Sequence, residues 1–175
     1  AERGHHAAAA HFLQFAEEES GHDTLALMDL AALGLPARAV QDIQPEDALE
    51  LVAYFWHLAK SEDPISSLGY IYAMERAALF NKKEDIEATE SVIPPGIHAT
   101  RCLRVHSAVG SDVGHVDESI DFMATLPAQD RLHIVRIVFE TISIAFASRP
   151  AYPGDAAMES LLAPYGWPHS AAVTV

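Results

Sequence analysis

The stretch HFLQFAEEESGHDTLALMDLAALG, residues 11–34, decides the fold. Its apolar residues return every three or four positions, the period of a helix packed on one side, and Gly34 followed by Pro36 supplies a stop. At about 100° per residue, Glu19 falls in the middle of the stripe made by Phe12, Phe15, Ala26, Leu30 and Leu33, with His22 about 60° to one side. A carboxylate aimed at a core is costly unless it is paired or bound to a metal. The Glu-x-x-His spacing puts an oxygen and a nitrogen ligand on one helix face. Glu18, four residues before His22, is the alternative carboxylate and points further from the stripe. A solvated acidic patch EEES beside a surface histidine is the competing reading.

Outward from this stretch, nothing alternates apolar and polar residues long enough for a strand, and five stretches carry helical periodicity. The expectation is an all-α chain. A first helix covers about 7–33. A second opens at Pro45 with Glu46 and Asp47 beside its positive end, buries Leu51, Phe55 and Leu58, and stops before Pro64. The third spans about 65–80 and ends at NKKED, after which ESVIPPG reads as a connector. The fourth spans about 99–126 and contains Gly110 and Gly114, which predict a local bend. The fifth spans 128–148 with Leu132, Val135, Phe139, Ile142 and Phe146 on one side. A Pro/Gly-rich tail over 150–175, with a short helix over 154–162, packs on what is expected to be a single domain of residues 1–175.

The third and fourth helices repeat the anomaly of the first. Glu75 shares its face with Leu68, Ile71, Tyr72, Ala78 and Leu79, so it points inward, either to a metal or to an arginine of another helix such as Arg101, Arg104 or Arg136. The segment LRVHSAVGSDVGH carries His106, Asp112 and His115, two imidazoles and a carboxylate suited to iron or manganese rather than calcium or magnesium. Asp112 and His115 share a face on any helix. His106 lies roughly 180° from His115 on an ideal helix, so the three converge only if the chain unwinds near Gly110-Ser111 and Gly114. The bland alternative is a core His106 with a surface DxxH. Arg136 and Glu140 most simply pair with each other. Cys102 reads as a small core residue, and His57, His133 and His169 have no partner pattern.

Eleven Lys plus Arg against 25 Asp plus Glu give the 175-residue chain a net charge of −14, which argues against nucleic acid and anionic lipid as partners. Half of the residues are apolar, enough for a packed core. No run suits a membrane span, and the single cysteine fits a reducing cytoplasm better than a secreted scaffold.

In order and spacing these motifs resemble the haem-oxygenase-like diiron oxidase and oxygenase family, over Phe12 to Leu126. HFLQFAEEESGHDTLALMDLAALG is similar to the family helix in which Glu-x-x-His is followed by Asp-Leu and a helix-ending Gly. LGYIYAMERAAL resembles its Gly-Tyr segment before an inward glutamate, and HSAVGSDVGH its metal-binding helix. The resemblance implies a single haem-oxygenase-like helical bundle with Glu19, His22, Glu75, His106, Asp112 and His115 as ligands of two iron ions, or of one if His106 is not a ligand. It implies oxidation by O2 of a small-molecule substrate, an amine, an amino acid or a fatty acid, with room for an external electron donor and for homodimerisation. Two departures stand out. His106 precedes Asp112 by six residues, where the family has the pair one helical turn apart. Almost nothing precedes Ala7, where the family commonly has another helix. A metal-free reading of the same fold resembles the TenA-like thiaminases, for which only Cys102 offers a thiol. A non-catalytic helical binding protein with internal ion pairs is the other alternative, and haem ligation by His11 or His22 a lesser one.

Overall fold

A computed structural model of the chain describes residues 6–147 and 154–166, apart from the side chains of Asp47 and Ala147. Among the described residues there are helices and no strand, so the chain is all-α. In order the helices are α1 (His6–Glu18), α2 (His22–Ala32), α3 (Ala37–Asp42), α4 (Glu46–Lys60), α5 (Ser67–Ala78), α6 (Lys83–Val92), α7 (Arg101–Val105), α8 (Asp112–Ala124), α9 (Ala128–Ala147) and α10 (Asp155–Leu162). Short 3-10 turns at Pro64–Ser66 and Ala163–Tyr165 precede α5 and follow α10.

Helix α5 is the centre, packed against α9, α8 and α4. Its Leu68 joins Ala8, Ile65 and Ile134 in a buried cluster, flanked by Phe12, Phe122, Met123, Leu126 and Val138. Burial of such side chains contributes roughly 1.5 to 3 kcal/mol apiece. Helix α5 therefore holds Glu75, which follows the buried Ile71 and Ala73, among apolar neighbours with little freedom to turn outward.

Four expectations are corrected. The expected first helix is two: α1 ends at Glu18, and Gly21 (φ +92°) turns the chain before α2, a conformation that L side chains rarely adopt. Helix α2 then closes as expected, with Gly34 N–H donating to Ala31 C=O (3.0 Å) and Leu35 N–H to Leu30 C=O (2.9 Å). The expected fourth helix is likewise split, into α7 and α8, by residues 106–111. The break takes in the expected Gly110-Ser111 but begins earlier and leaves out Gly114, since Asp112 to His115 is regular helix.

The NKKED stretch does not only end α5. It opens α6, where Asp85 accepts from the Lys82 N–H (2.9 Å) and Ile86 is the buried anchor of an otherwise polar helix. Helix α9 turns a different face inward than its sequence stripe suggested. Leu132, Val135 and Phe139 are 72%, 64% and 74% exposed, while Ile134, Ile137 and Thr141 are buried against α5 and α4. Both faces of α9 are apolar, so periodicity does not choose between them, and packing does. Ser148, and residues 150–153 and 167–175 of the expected tail, lie outside the described residues. The described part of the tail meets α3, where the Arg38 guanidinium lies 5.8 Å from the Tyr165 ring.

Candidate metal centre

The two helix breaks deliver the site. Glu18 ends α1, Glu19 sits in the turn and His22 opens α2; Glu19 and His22 stay side by side, and the turn brings Glu18 to His115. From the second break, His106 ends α7 and Asp112 opens α8, with His115 one turn further. Gly110 is what the second break requires. A Cβ there would stand 1.9 Å from the Val105 carbonyl oxygen, whereas at Gly114 it would meet open space. The bend thus belongs to Gly110 and not to Gly114.

Glu19 is the hub. Its Oε2 lies 2.7 Å from His22 Nδ1 and 4.0 Å from His106 Nε2, and its Oε1 lies 3.3 Å from His115 Nδ1. His115 Nδ1 is also 3.2 Å from Glu75 Oε2, and His115 Nε2 is 3.4 Å from Glu18 Oε2. His106 Nδ1 meets both Asp112 oxygens, at 3.2 and 3.3 Å. The donor atoms of Glu19, His22 and His106, and those of Glu19, Glu75 and His115, form two triads, each with all atoms within 4.8 Å of one another. Donors bound to one ion at about 2 Å stand roughly 3 to 4 Å apart, so each triad can hold a metal with small adjustment. Of the six residues singled out in the sequence, the triads hold five, and Asp112 joins them through His106 Nδ1. His106 reaches the group because the chain between it and Asp112 is not helical.

Burial gives the cluster its electrostatic character. Asp112 is fully enclosed, and Glu75 and His115 are nearly so. Burial pushes the Glu75 carboxyl up to about 7, and the neighbouring Asp112 and Glu19 carboxylates push in the same direction. The hydrogen bond that His106 donates to Asp112 raises His106. The arginines offered as partners for Glu75 are all engaged elsewhere: Arg101 with Asp29 (2.9 Å), Arg104 with Glu90 (2.7 Å) and Arg136 with Glu140 (2.7 Å). Among the described residues, Glu19, Glu75 and Asp112 have histidines, and neither lysine nor arginine, as their ionic partners. Glu19 Oε1 is buried without a hydrogen bond, because the nearby His115 Nδ1 is directed to Glu75. An oriented, unpartnered carboxylate oxygen between two triads suits a cation, and oxygen with imidazole is a donor set for divalent transition metals.

One group entered the sequence reading only as an alternative to Glu19, and one escaped it. Glu18 faces His115 because α1 ends there, which a continuous helix conceals. Asp29 is buried and accepts from Arg101 Nη1 (2.9 Å) and from the Cys102 N–H (2.9 Å), tying α2 to the start of α7, the helix that carries His106. An aspartate inside the apolar run LALMDLAAL was its signal. The Cys102 thiol is pushed up by burial and by Asp29, Asp112 and Glu19, the reverse of an activated nucleophile. His22 is bonded to Glu19, and His11 stacks on Phe122 with centroids 4.7 Å apart. No helix among the described residues is long and apolar enough to cross a membrane. No family model, curated protein or solved structure matches the chain, so the functional reading stands on its own side chains.

Proposed function

We propose that the chain is a non-haem diiron oxidase or oxygenase of the haem-oxygenase-like type, acting with O2 on a small molecule in the cytoplasm, with electrons from an external donor where the reaction needs them. The observation that carries this reading is the burial of Glu75 and Asp112 beside the half-buried Glu19, with neither lysine nor arginine among the described residues to balance them. Buried charge of that kind is expensive unless a metal or protons neutralise it. In this reading His22 and His106 would hold one ion and Glu75 and His115 the other, with Glu19 in reach of each and Glu18 and Asp112 beside them. Iron bound there would supply redox chemistry with O2.

The protein's own part is to prepare that centre. Before an ion is bound, Asp112 accepts from His106 Nδ1 and Glu75 from His115 Nδ1, which holds both rings at the cluster. Phe15 stands edge-on to His115, with centroids 5.4 Å apart, and screens that ligand from water. The test is anaerobic loading with Fe(II), metal analysis of the desalted protein, and absorption spectra before and after O2. Two irons per chain and an O2-dependent spectral change are expected. A chain that retains no iron overturns the reading, and a Soret band after haem addition would replace it with a haem protein.

A further inference from the structure

A cavity of about 420 Å³ opens onto Glu19 and Glu75. Its walls are Phe12 and Phe15 from α1, Phe55 from α4, and Tyr70 and Met74 from α5. Phe55 and Tyr70 pack ring against ring with centroids 4.9 Å apart, and Ala16, which is exposed, stands at the mouth. The size is that of a small-molecule site, and the apolar walls with polar groups gathered at one place are its usual make-up. None of the residues lining it is Lys, Arg or His. Its polar groups are the two carboxylates and the Tyr70 hydroxyl.

We infer that this cavity is the substrate pocket of the proposed diiron centre and that it takes a neutral, apolar molecule, not a carboxylate or an ammonium. The inference rests on the diiron reading for the identity of the floor and on the cavity alone for the walls. Glu18, Glu19, Glu75 and Asp112 bring four carboxylates to the cluster, which balance two divalent ions. A substrate carboxylate would add an unbalanced charge in an enclosure with no cationic side chain. An ammonium would find the floor carboxylates already neutralised by metal. An uncharged chain or ring loses only water, and gains contact with Phe12, Phe15, Phe55 and Tyr70.

The test is calorimetric titration of the full chain, loaded with Fe(II) under argon, with octanol, octanoate and octylammonium. Octanol is expected to bind at least about tenfold more tightly than either ion. Ala16→Trp, which lays an indole across the mouth, is expected to abolish octanol binding and leave iron content and far-UV circular dichroism unchanged. Phe55→Trp fills the same space from α4 and serves if Ala16→Trp does not fold. Either ion binding as tightly as octanol overturns the proposal, as does octanol affinity untouched by the blocking variant. Iron uptake without octanol binding overturns the pocket and leaves the metal reading standing. Octanol binding that the blocking variant abolishes, in a chain that takes up no iron, supports the apolar pocket and overturns the metal reading.

Discussion

Replacing Glu75 by Gln separates a metal ligand from a structural ion pair by the sign of the stability change. In the metal-free protein the Glu75 carboxyl lies at about 7, against an ordinary 4.5, because it is buried beside Asp112 and Glu19. Its folded form holds a proton that the unfolded chain has released, so stability is full below about pH 4.5 and falls as pH rises to about 7. At about 1.4 kcal/mol per pKa unit, the interval corresponds to about 3 kcal/mol. Glu75→Gln keeps the shape and an acceptor for His115 Nδ1 but carries no charge. With a chelator present, the variant should match wild type near pH 5 and exceed it by up to about 3 kcal/mol near pH 8. Urea unfolding followed by circular dichroism reads both. Fe(II) should reverse the order, since ligand at a hundred times Kd stabilises wild type by about 2.7 kcal/mol per site, and the variant has lost a charged ligand. A metal-free variant no more stable than wild type near pH 8 refutes the electrostatic reasoning. A loss of about 3 to 5 kcal/mol at both pH values would mean that Glu75 neutralises a buried cation of the protein itself.

Three further outcomes follow from the geometry. Gly110→Ala drives a methyl into the Val105 carbonyl and should lower the thermal midpoint and iron content together, whereas Gly114→Ala, with open space at its Cβ, should stabilise α8 by up to about 1 kcal/mol and leave iron content unchanged; equal effects would refute the placement of the bend. Asp29→Asn weakens the bonds to Arg101 and the Cys102 N–H and should cost about 2 kcal/mol in urea unfolding, while weakening iron binding with every metal-binding side chain still present; unchanged iron affinity would show that α7 does not need this tie to place His106. Ile137→Ala should cost about 2 to 5 kcal/mol and Phe139→Ala less than about 0.5 kcal/mol, because the first is buried and the second is 74% exposed; the opposite order would show that α9 faces the other way in solution.

The sequence by itself determined that the chain is helical, because apolar residues at three- and four-residue spacing can be buried together only on a helix. It also marked Glu19, His22, Glu75, His106, Asp112 and His115, because a charge or imidazole on an apolar face needs a partner. Single-helix geometry does not extend past a helix end, however, and both ligand segments contain one. The Glu18 side chain reads as pointing away from the stripe and His106 as opposite His115 only while each segment is drawn as one straight helix. The turn at Gly21 and the backbone approach at Gly110 bring both to the centre. Tertiary structure also decided which apolar face of α9 is buried, since Leu132 and Phe139 are as hydrophobic as Ile134 and Ile137, and only α5 and α4 select between them. The pocket above Glu19 and Glu75 was illegible for the same reason: its walls come from α1, α4 and α5, and no spacing within one helix records the distance between three.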